Sequence, residues 1–252
     1  MKTYLAAAVL ALAMTGAAAA QGETIRIGTE GAYAPWNFVD DSGNLAGLDI
    51  DVMNELCARA GLECTLVQTA WDTIIPNLNA GNYDVIAAGM SITDERRQSI
   101  DFTADYSPPE ASAYMMQSDT TVDFDNLSGV RIGTQTGTIQ SAYAAENLAD
   151  GNTLLSFDTA DQALADLSAG NIDVILADHS YIVELVAGSG GALKTEGPRI
   201  PIGEGVGAGV RKADTELRGK LDAALAEAKA DGTIDALITK WFPEREGPFY
   251  LN

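Results

Sequence analysis

The sequence predicts an α/β protein built from two similar lobes. Residues 25–30 (IRIGTE) return as residues 130–135 (VRIGTQ), and residues 78–88 (LNAGNYDVIAA) return in the same order as residues 167–177 (LSAGNIDVILA). Such a repeat indicates two copies of one structural unit. The alternative, that Ala-Gly-Asn-x-Asp-Val-Ile is only a common helix–turn–strand junction, is disfavoured because two separate segments match in the same order.

The first copy consists of predicted strands that alternate with helices. Alternating apolar residues predict a strand over 25–29, and apolar residues at helical spacing predict a helix that includes 50–57. Further strands are predicted over 64–68 and 85–88, with a helix over 71–79 between them. Alternation of this kind is typical of parallel sheets with right-handed crossovers.

Local signals indicate where these helices begin and end. Asp49 or Asp51 is placed to cap the start of the first helix. Pro76 is compatible with the second helix if that helix begins late, so that the proline lies in its first turn. Gly81 is predicted to end the second helix.

The chain is predicted to cross between the lobes twice. Residues 101–109, with two prolines at their end, and residues 198–204 are interpreted as extended connectors. The predicted lobes are residues 21–109 with 201–252, and residues 110–200.

The last part of the chain is predicted to return to the first lobe. A glycine-rich strand at 206–210 follows the second connector. Amphipathic spacing predicts helices over 215–229 and 234–241. These two helices have no counterpart in the second copy, so we expect them to cover the first lobe.

Charge and composition exclude several classes of function. The chain has 15 lysines and arginines against 36 aspartates and glutamates, a formal net charge of −21. This charge repels phosphate backbones, so nucleic acid is not an expected partner. One histidine, His179, and two cysteines cannot supply a multi-histidine metal site or a zinc ribbon. We expect no metal and no other cofactor.

The N-terminus predicts export. Residues 1–20 combine a basic Lys2, an apolar stretch and a small-residue cleavage site before Gln21, which is typical of a signal peptide. A transmembrane anchor is the weaker alternative, because the apolar stretch is short and rich in alanine and glycine. No later run of about 18 apolar residues occurs, so the mature protein is expected to be soluble and not embedded in a membrane.

Export gives a role to the two cysteines. Cys57 and Cys64 lie seven positions apart, where a helix is predicted to end and a strand to begin. In an oxidising compartment they can form a disulfide that closes a small loop. Two unpaired thiols are the alternative. The spacing is not that of a redox-active Cys-x-x-Cys motif.

Four loops of the predicted fold converge on one cleft. In open α/β sheets, ligands lie beyond the carboxyl ends of parallel strands. Here these ends are Glu30, the segment from Ala88, the segment from Gln135, and Asp178. The loops carry carboxylates, hydroxyls, aromatic rings and exposed backbone. The sequence therefore predicts a binding site for a small polar molecule.

Four sequence segments carry a resemblance to a known family, and the resemblance spans essentially all of the mature chain. The segments are RIGTEGAYAPWNFVDDSGNLAGLDIDVMNELC, WDTIIPNLNAGNYDVIAAGMSITDERR, IGTQTGTIQSAY and DGTIDALITKWF. Together they resemble the polar amino-acid solute-binding proteins of ABC importers, which form bacterial solute-binding protein family 3. The resemblance is strongest to members that bind lysine, arginine, ornithine, histidine or opines. It implies the type II periplasmic binding protein fold, with two duplicated α/β lobes joined by two hinge connectors.

The resemblance implies partners for both charged groups of an amino acid. Arg96 matches the arginine that binds the ligand α-carboxylate, a role that suits the forked donors of a guanidinium; a surface helix arginine is the alternative. Thr138 and Ile139 stand at a predicted helix start, where free N–H groups attract an anion. Asp178 matches the carboxylate that pairs with the α-ammonium, and a helix cap is its alternative.

Other residues of the cleft complete the expected site. The Ser91 hydroxyl and the backbone at Ala88 or Gly89 would assist Asp178, while Tyr33 and Trp71 match the aromatic pair on either side of the ligand side chain. For Trp71 the alternative is ordinary core. Trp36 is expected in the core under the loop, and His179 is expected to be an exposed or capping neighbour and not a ligand. The complete predicted set is Glu30, Tyr33, Trp71, Ala88, Gly89, Ser91, Arg96, Gln135, Thr138, Ile139 and Asp178.

Glu30 indicates the ligand class. A carboxylate in a partly dry cleft needs a partner, and a ligand guanidinium or ammonium supplies one. A basic amino acid or an arginine-derived opine is therefore the first choice. Ala88 and Gly89 stand where several binders of basic amino acids have serines, so glutamine or histidine remains open.

The expected function is capture of an amino acid without chemistry. Lobes that close at two connectors would deliver it to the membrane permease of an ABC importer, from a monomer in a Gram-negative periplasm. A periplasmic dehydratase-like enzyme on the same scaffold is an alternative, with Glu30 or Asp178 as its acid. It is disfavoured because both acids are better explained as counter-ions. A receptor sensor domain would need a membrane segment or a kinase module.

Overall fold

The computed structural model describes residues 24–251, so the predicted signal peptide at 1–20 lies outside the described residues. Strands and helices alternate along this part of the chain. The strands are β1 (Thr24–Thr29), β2 (Ala32–Tyr33), β3 (Asn37–Val39), β4 (Leu45–Ala46), β5 (Glu63–Gln68), β6 (Val85–Ile86), β7 (Asp101–Ser107), β8 (Ser112–Gln117), β9 (Arg131–Gln135), β10 (Thr153–Phe157), β11 (Val174–Asp178), β12 (Leu193–Thr195) and β13 (Val206–Val210). The α-helices are α1 (Leu48–Ala60), α2 (Ile74–Asn79), α3 (Asp94–Arg97), α4 (Ile139–Asn147), α5 (Ala160–Ser168), α6 (His179–Gly188), α7 (Thr215–Ala230) and α8 (Thr233–Trp241), with single 3-10 turns at Trp71–Thr73 and Phe124–Asn126.

Two five-stranded sheets form the centres of two lobes. The first has the strand order β5-β1-β6-β13-β7, and the second has the order β10-β9-β11-β8-β12. A small antiparallel sheet, β2-β3-β4, contacts α1 through β3 and β4 and α5 through β2. The predicted lobe boundaries at 109–110 and 200–201 fall in the two stretches of chain that pass from one sheet to the other. Which residues move with each lobe stays a prediction.

The internal repeat has a structural cause. Arg26 on β1 donates through Nε to Asp84 at 3.0 Å, and its guanidinium also reaches the carbonyls of the turn before β6. Arg131 on β9 makes the same contact with Asp173, also at 3.0 Å, and reaches the turn before β11. Each arginine therefore ties the first strand of its lobe to the turn that leads into the neighbouring strand.

The sheets are mixed, whereas the sequence predicted parallel sheets. Strands β1, β5 and β6 are parallel, as are β9, β10 and β11. Strand β13 is antiparallel to β6 and β7, and β8 is antiparallel to β11 and β12. The expected connector at 101–109 is mostly strand β7, at the edge of the first sheet. Among the strands of residues 24–251, only β8 and β13 run against the other strands of their five-stranded sheets, and these are the two strands that the chain enters directly from the other lobe.

The start of α1 also differs from the prediction. Gly47 occupies the N-cap position, with φ 124°, and no side chain caps the helix there. Asp49 is instead buried, where its carboxylate accepts hydrogen bonds from Tyr106 Oη at 2.5 Å and from the Gly89 N–H at 2.6 Å. Asp51 accepts a hydrogen bond from the indole of Trp241. Both carboxylates thus accept hydrogen bonds from residues of other elements and do not cap α1.

Other local predictions agree with the structure. Pro76 is the third residue of α2, within its first turn. Cys57 at the end of α1 and Cys64 on β5 form a disulfide with a Cα–Cα distance of 6.2 Å, so the alternative of two free thiols is wrong. Buried leucines of α7, among them Leu221 and Leu225, pack with α1 in the first core, so the last helices cover the first lobe. Among the helices of residues 24–251, none has the length and apolar character to span a membrane.

Candidate functional site

A cavity lies between the two sheets, at the carboxyl ends of β1, β6, β9 and β11. Protein atoms leave about 320 Å³ unfilled there, a volume that includes open solvent. All eleven positions predicted from the sequence line it, and Gln140 is a twelfth. The lining comprises Glu30, Tyr33, Trp71, Ala88, Gly89, Ser91, Arg96, Gln135, Thr138, Ile139, Gln140 and Asp178.

Glu30 follows β1 and is only 7% exposed. Its Oε1 accepts a hydrogen bond from Nε2 of Gln135 at 2.7 Å, across the cleft from the second lobe. Burial raises the pKa of Glu30 to about 7, although the Gln135 hydrogen bond acts in the opposite direction. The ionised form of Glu30 is therefore destabilised by burial, and a cation in the cavity would offset this free-energy cost.

Asp178 ends β11 and occupies the N-cap position of α6, but its side chain does not cap the helix. Its Oδ2 accepts a hydrogen bond from Tyr33 Oη at 2.9 Å, and its Oδ1 accepts one from Gln140 Nε2 at 2.8 Å. Burial, and then the nearby Glu110, raise the pKa of Asp178 to about 6, while these hydrogen bonds and Arg96 lower it. The carboxylate is thus directed toward the cavity and not toward the helix end.

Gln140 is the residue that the sequence analysis missed. It is buried in the first turn of α4, and its Nε2 donates to both Asp178 Oδ1 and Ser112 Oγ, the latter at 2.9 Å. These two acceptors fix the amide and hold the Asp178 carboxylate in place. The available signal was its position two residues after Thr138, on the helix turn that was expected to face the ligand.

Arg96 lies in the short helix α3, which Thr93 caps by accepting from the Arg96 N–H. The guanidinium stacks over Trp71 at 5.2 Å from the ring centroid. It donates to the carbonyls of Ser91 at 2.7 Å and Gly137 at 3.1 Å, one from each lobe. Burial lowers the pKa of Arg96 to about 10, so the group stays charged at neutral pH. Two of its five N–H groups are used by these carbonyls, and the fork can bind an anion with the rest.

The two predicted aromatic residues lie on the cavity wall. Trp71 begins the 3-10 turn after β5 and is buried. Tyr33 stacks face to face with Tyr181 of the second lobe, with centroids 4.3 Å apart. One face of Tyr33 is therefore covered by protein, a contact that the sequence did not indicate.

The backbone of two loops completes the wall. Thr138 caps α4, because its hydroxyl accepts from the Ser141 N–H and donates to the carbonyl of Gln135. The helix start that was predicted to attract an anion therefore lies at the cavity. Gly89 has φ 59°, and its N–H is directed to Asp49, so this N–H is not free for a ligand.

Two neighbours of the site, Trp36 and His179, lie outside its lining, and His179 is half-buried and does not occupy the N-cap position of α6. His179 Nδ1 lies 3.5 Å from Glu110 Oε1 and does not line the cavity. Trp36 is core, with its ring 4.8 Å from that of Phe242. Within residues 24–251, no three side chains of the types that bind metals are grouped to hold an ion.

A two-lobed α/β fold with a polar, charged cavity between its lobes is the arrangement found in extracellular solute-binding proteins. The chain belongs to the bacterial extracellular solute-binding proteins, family 3, whose pattern matches residues 25–244. It is 37% identical to the histidine-binding periplasmic protein of Escherichia coli K12, over 96% of this chain and 97% of that protein.

Two solved structures are informative. A periplasmic His/Glu/Gln/Arg/opine family-binding protein from Silicibacter pomeroyi in complex with lysine is 48% identical, with a TM-score of 0.83 over 89% of this chain and all of that one. An ancestral amino-acid-binding protein, described as a precursor of cyclohexadienyl dehydratase, is 30% identical, with a TM-score of 0.77 over 87% of this chain and 95% of that one. The scaffold is thus shared with the ancestry of an enzyme.

Proposed function

We propose that this protein captures an amino acid with a cationic side chain in the interlobe cavity and delivers it to the permease of an ABC importer. The observation that carries this proposal is the charge of the lining. Glu30 and Asp178 contribute two carboxylates, and Arg96 contributes one guanidinium. A lysine, arginine or ornithine brings two cations and one carboxylate, which is the complementary set.

The lining suggests one orientation for such a ligand. Arg96 and the start of α4 bind the α-carboxylate, because a guanidinium and free helix N–H groups both suit an anion. Asp178, oriented by Gln140, pairs with the α-ammonium. Glu30 then pairs with the side-chain cation, and Trp71 lies along the aliphatic stem.

The names of similar proteins support this ligand class without identifying the ligand. The Silicibacter pomeroyi structure contains lysine, and the Escherichia coli relative binds histidine. Glutamine or histidine is the alternative ligand class. The side-chain amide of Gln135, next to Glu30, favours this alternative because an amide can hydrogen-bond a neutral ligand side chain.

The proposal includes no chemistry on the ligand. A dehydratase-like reaction would need Glu30 or Asp178 as an acid. Both accept hydrogen bonds from neighbouring side chains, which suits a role as counter-ions. Turnover of the bound amino acid would therefore contradict the proposal.

The cellular setting follows from the same function. We infer that residues 1–20 are removed on export and that the mature chain acts in the periplasm as a monomer. The stretches near 109–110 and 200–201 act as hinges, so that residues 21–109 with 201–252 close against residues 110–200.

Calorimetric titration of the mature protein tests the proposal, after carried-over ligand is removed by unfolding and refolding. The panel is arginine, lysine, ornithine, histidine, glutamine, glutamate and octopine. We expect one-to-one binding of a cationic member without turnover. Arg96→Ala should weaken binding of every member, whereas Arg97→Ala, the adjacent control, should not. Binding of acidic members alone would refute the ligand class, and an unchanged affinity in Arg96→Ala would remove Arg96 from the site.

A further inference from the structure

We propose that a buried hydrogen bond outside the ligand cavity, between Trp36 and Ser180, latches the two lobes together and sets ligand affinity without contributing to ligand choice. The indole Nε1 of Trp36 donates to Ser180 Oγ at 3.0 Å, between residues 144 positions apart. The inference rests on the proposed function, because a latch affects affinity only if the lobes close over a ligand.

The two partners are anchored in different lobes. Trp36 belongs to the first core, where its ring packs at 4.8 Å from Phe242. Its Cγ also lies 3.3 Å from the place that a Cβ on Gly89 would occupy, so the ring supports the cavity loop from behind. Ser180 lies in the first turn of α6, which packs against the second sheet. Separation of the lobes must therefore break the bond.

The bond lies out of reach of a ligand in the main cavity. Trp36 and Ser180 are each only 2% exposed, and neither is among the residues that line that cavity. Two other contacts join the same segments, namely Tyr33 Oη to Asp178 and the stack of Tyr33 on Tyr181. Those contacts involve lining residues, so a ligand perturbs them directly. Of these three contacts, the Trp36–Ser180 hydrogen bond is the one that can stabilise the closed lobes without being perturbed by the ligand.

The expected effect follows from the exchange of one hydrogen bond. When the lobes open, water satisfies the indole N–H and the hydroxyl, so closure gains only the net value of the bond. In Ser180→Ala the closed form buries an indole N–H without its acceptor. We expect affinity to fall about 5- to 150-fold for each amino acid that the protein binds, because an unsatisfied buried donor costs more than the net value of the bond. The loss should lie in faster dissociation, because opening precedes release, while association is unchanged.

The test is calorimetry and stopped-flow fluorescence on the mature wild type, Ser180→Ala and the lobe 2 control Ser168→Ala, with L-lysine, L-arginine and L-glutamine as probes. Ser168 is an exposed residue of α5 whose hydroxyl donates to the Leu164 carbonyl of its own helix. We expect Ser180→Ala alone to bind each bound probe more weakly, by the same factor, with an unchanged ligand-free melting temperature. In a Trp36→Phe background, Ser180→Ala should have no further effect.

Several outcomes would overturn the latch. An unchanged ligand dissociation rate in Ser180→Ala would overturn it. Losses of affinity that differ between the probes would also overturn it, as would additive effects of Trp36→Phe and Ser180→Ala. A fall in melting temperature with unchanged affinity would assign the bond a purely structural role. If the wild type binds none of the three probes, the proposed function fails for these ligands, and the latch that rests on it fails too.

Discussion

Replacement of Glu30 by glutamine removes one charge and little else. The side chain keeps its length, and its amide oxygen can still accept the hydrogen bond that Gln135 now donates at 2.7 Å. The substitution therefore separates the charge of Glu30 from its shape. Glu63→Gln is the matched control, because Glu63 is an exposed residue at the opposite end of the first sheet.

The pKa of Glu30 in the structure gives the size of the expected change in ligand affinity. Burial raises the pKa of Glu30 from its ordinary value of 4.5 to about 7, which corresponds to about 3 kcal/mol against the charged form. A ligand cation that pairs with Glu30 recovers up to this amount. We therefore expect Glu30→Gln to weaken lysine and arginine binding by about 100-fold at pH 8. Glutamine, which brings no side-chain charge, should lose less than about tenfold, a difference of less than about 1.4 kcal/mol.

Calorimetric titration with lysine, arginine and glutamine at pH 8 measures this difference. Equal losses for cationic and neutral ligands would refute the role of Glu30 as the group that selects a cation. Unfolding of the ligand-free protein gives an independent check. Because the folded-state pKa is raised, the contribution of Glu30 is favourable below about pH 4 and is lost as the pH rises through 7. Glu30→Gln should therefore be more stable than wild type at pH 8, and this gain should vanish near pH 4.

Three further predictions follow from the site and the fold. Lysine affinity should fall as the pH drops below 7, because Glu30 takes up a proton there. Glutamine affinity should fall only near pH 6, where Asp178 takes up a proton. Parallel pH profiles of the two affinities, measured by calorimetry, would contradict this assignment. Gln140→Leu should weaken lysine and glutamine alike, by about 3- to 10-fold, because Asp178 loses a hydrogen bond; a loss confined to lysine would be inconsistent with this role. Replacing Cys57 and Cys64 by alanine should lower the free energy of unfolding by about 2 to 3 kcal/mol in urea denaturation, and an unchanged midpoint would show that the disulfide adds no stability.

The sequence predicted the wall of the cavity because that wall is built from strand ends. Repeats and periodicity locate the strands, and the carboxyl ends of β1, β6, β9 and β11 then point to the loops. Glu30 directly follows β1 and Asp178 is the last residue of β11, whereas Arg96 was assigned through the family resemblance. Their positions depend on local order along the chain, which a single sequence carries. Their roles toward a ligand stay predictions.

What the sequence did not predict depends on contacts between distant elements. The antiparallel course of β13 follows from the return of the chain across the lobes, which periodicity does not encode. Asp49 looked like a helix cap, but Tyr106 from β7 and Gly89 compete for its carboxylate. The bond between Trp36 and Ser180 exists only because two lobes meet, so neither residue stood out alone.

The crystal structure of the mature protein grown with L-lysine tests the central claim most directly. The account predicts lysine in the interlobe cavity, with its carboxylate on Arg96, its α-ammonium on Asp178 and its side-chain ammonium within hydrogen-bond distance of Glu30. Lysine bound elsewhere, or bound in the cavity with Glu30 turned away from the side-chain ammonium, would contradict it.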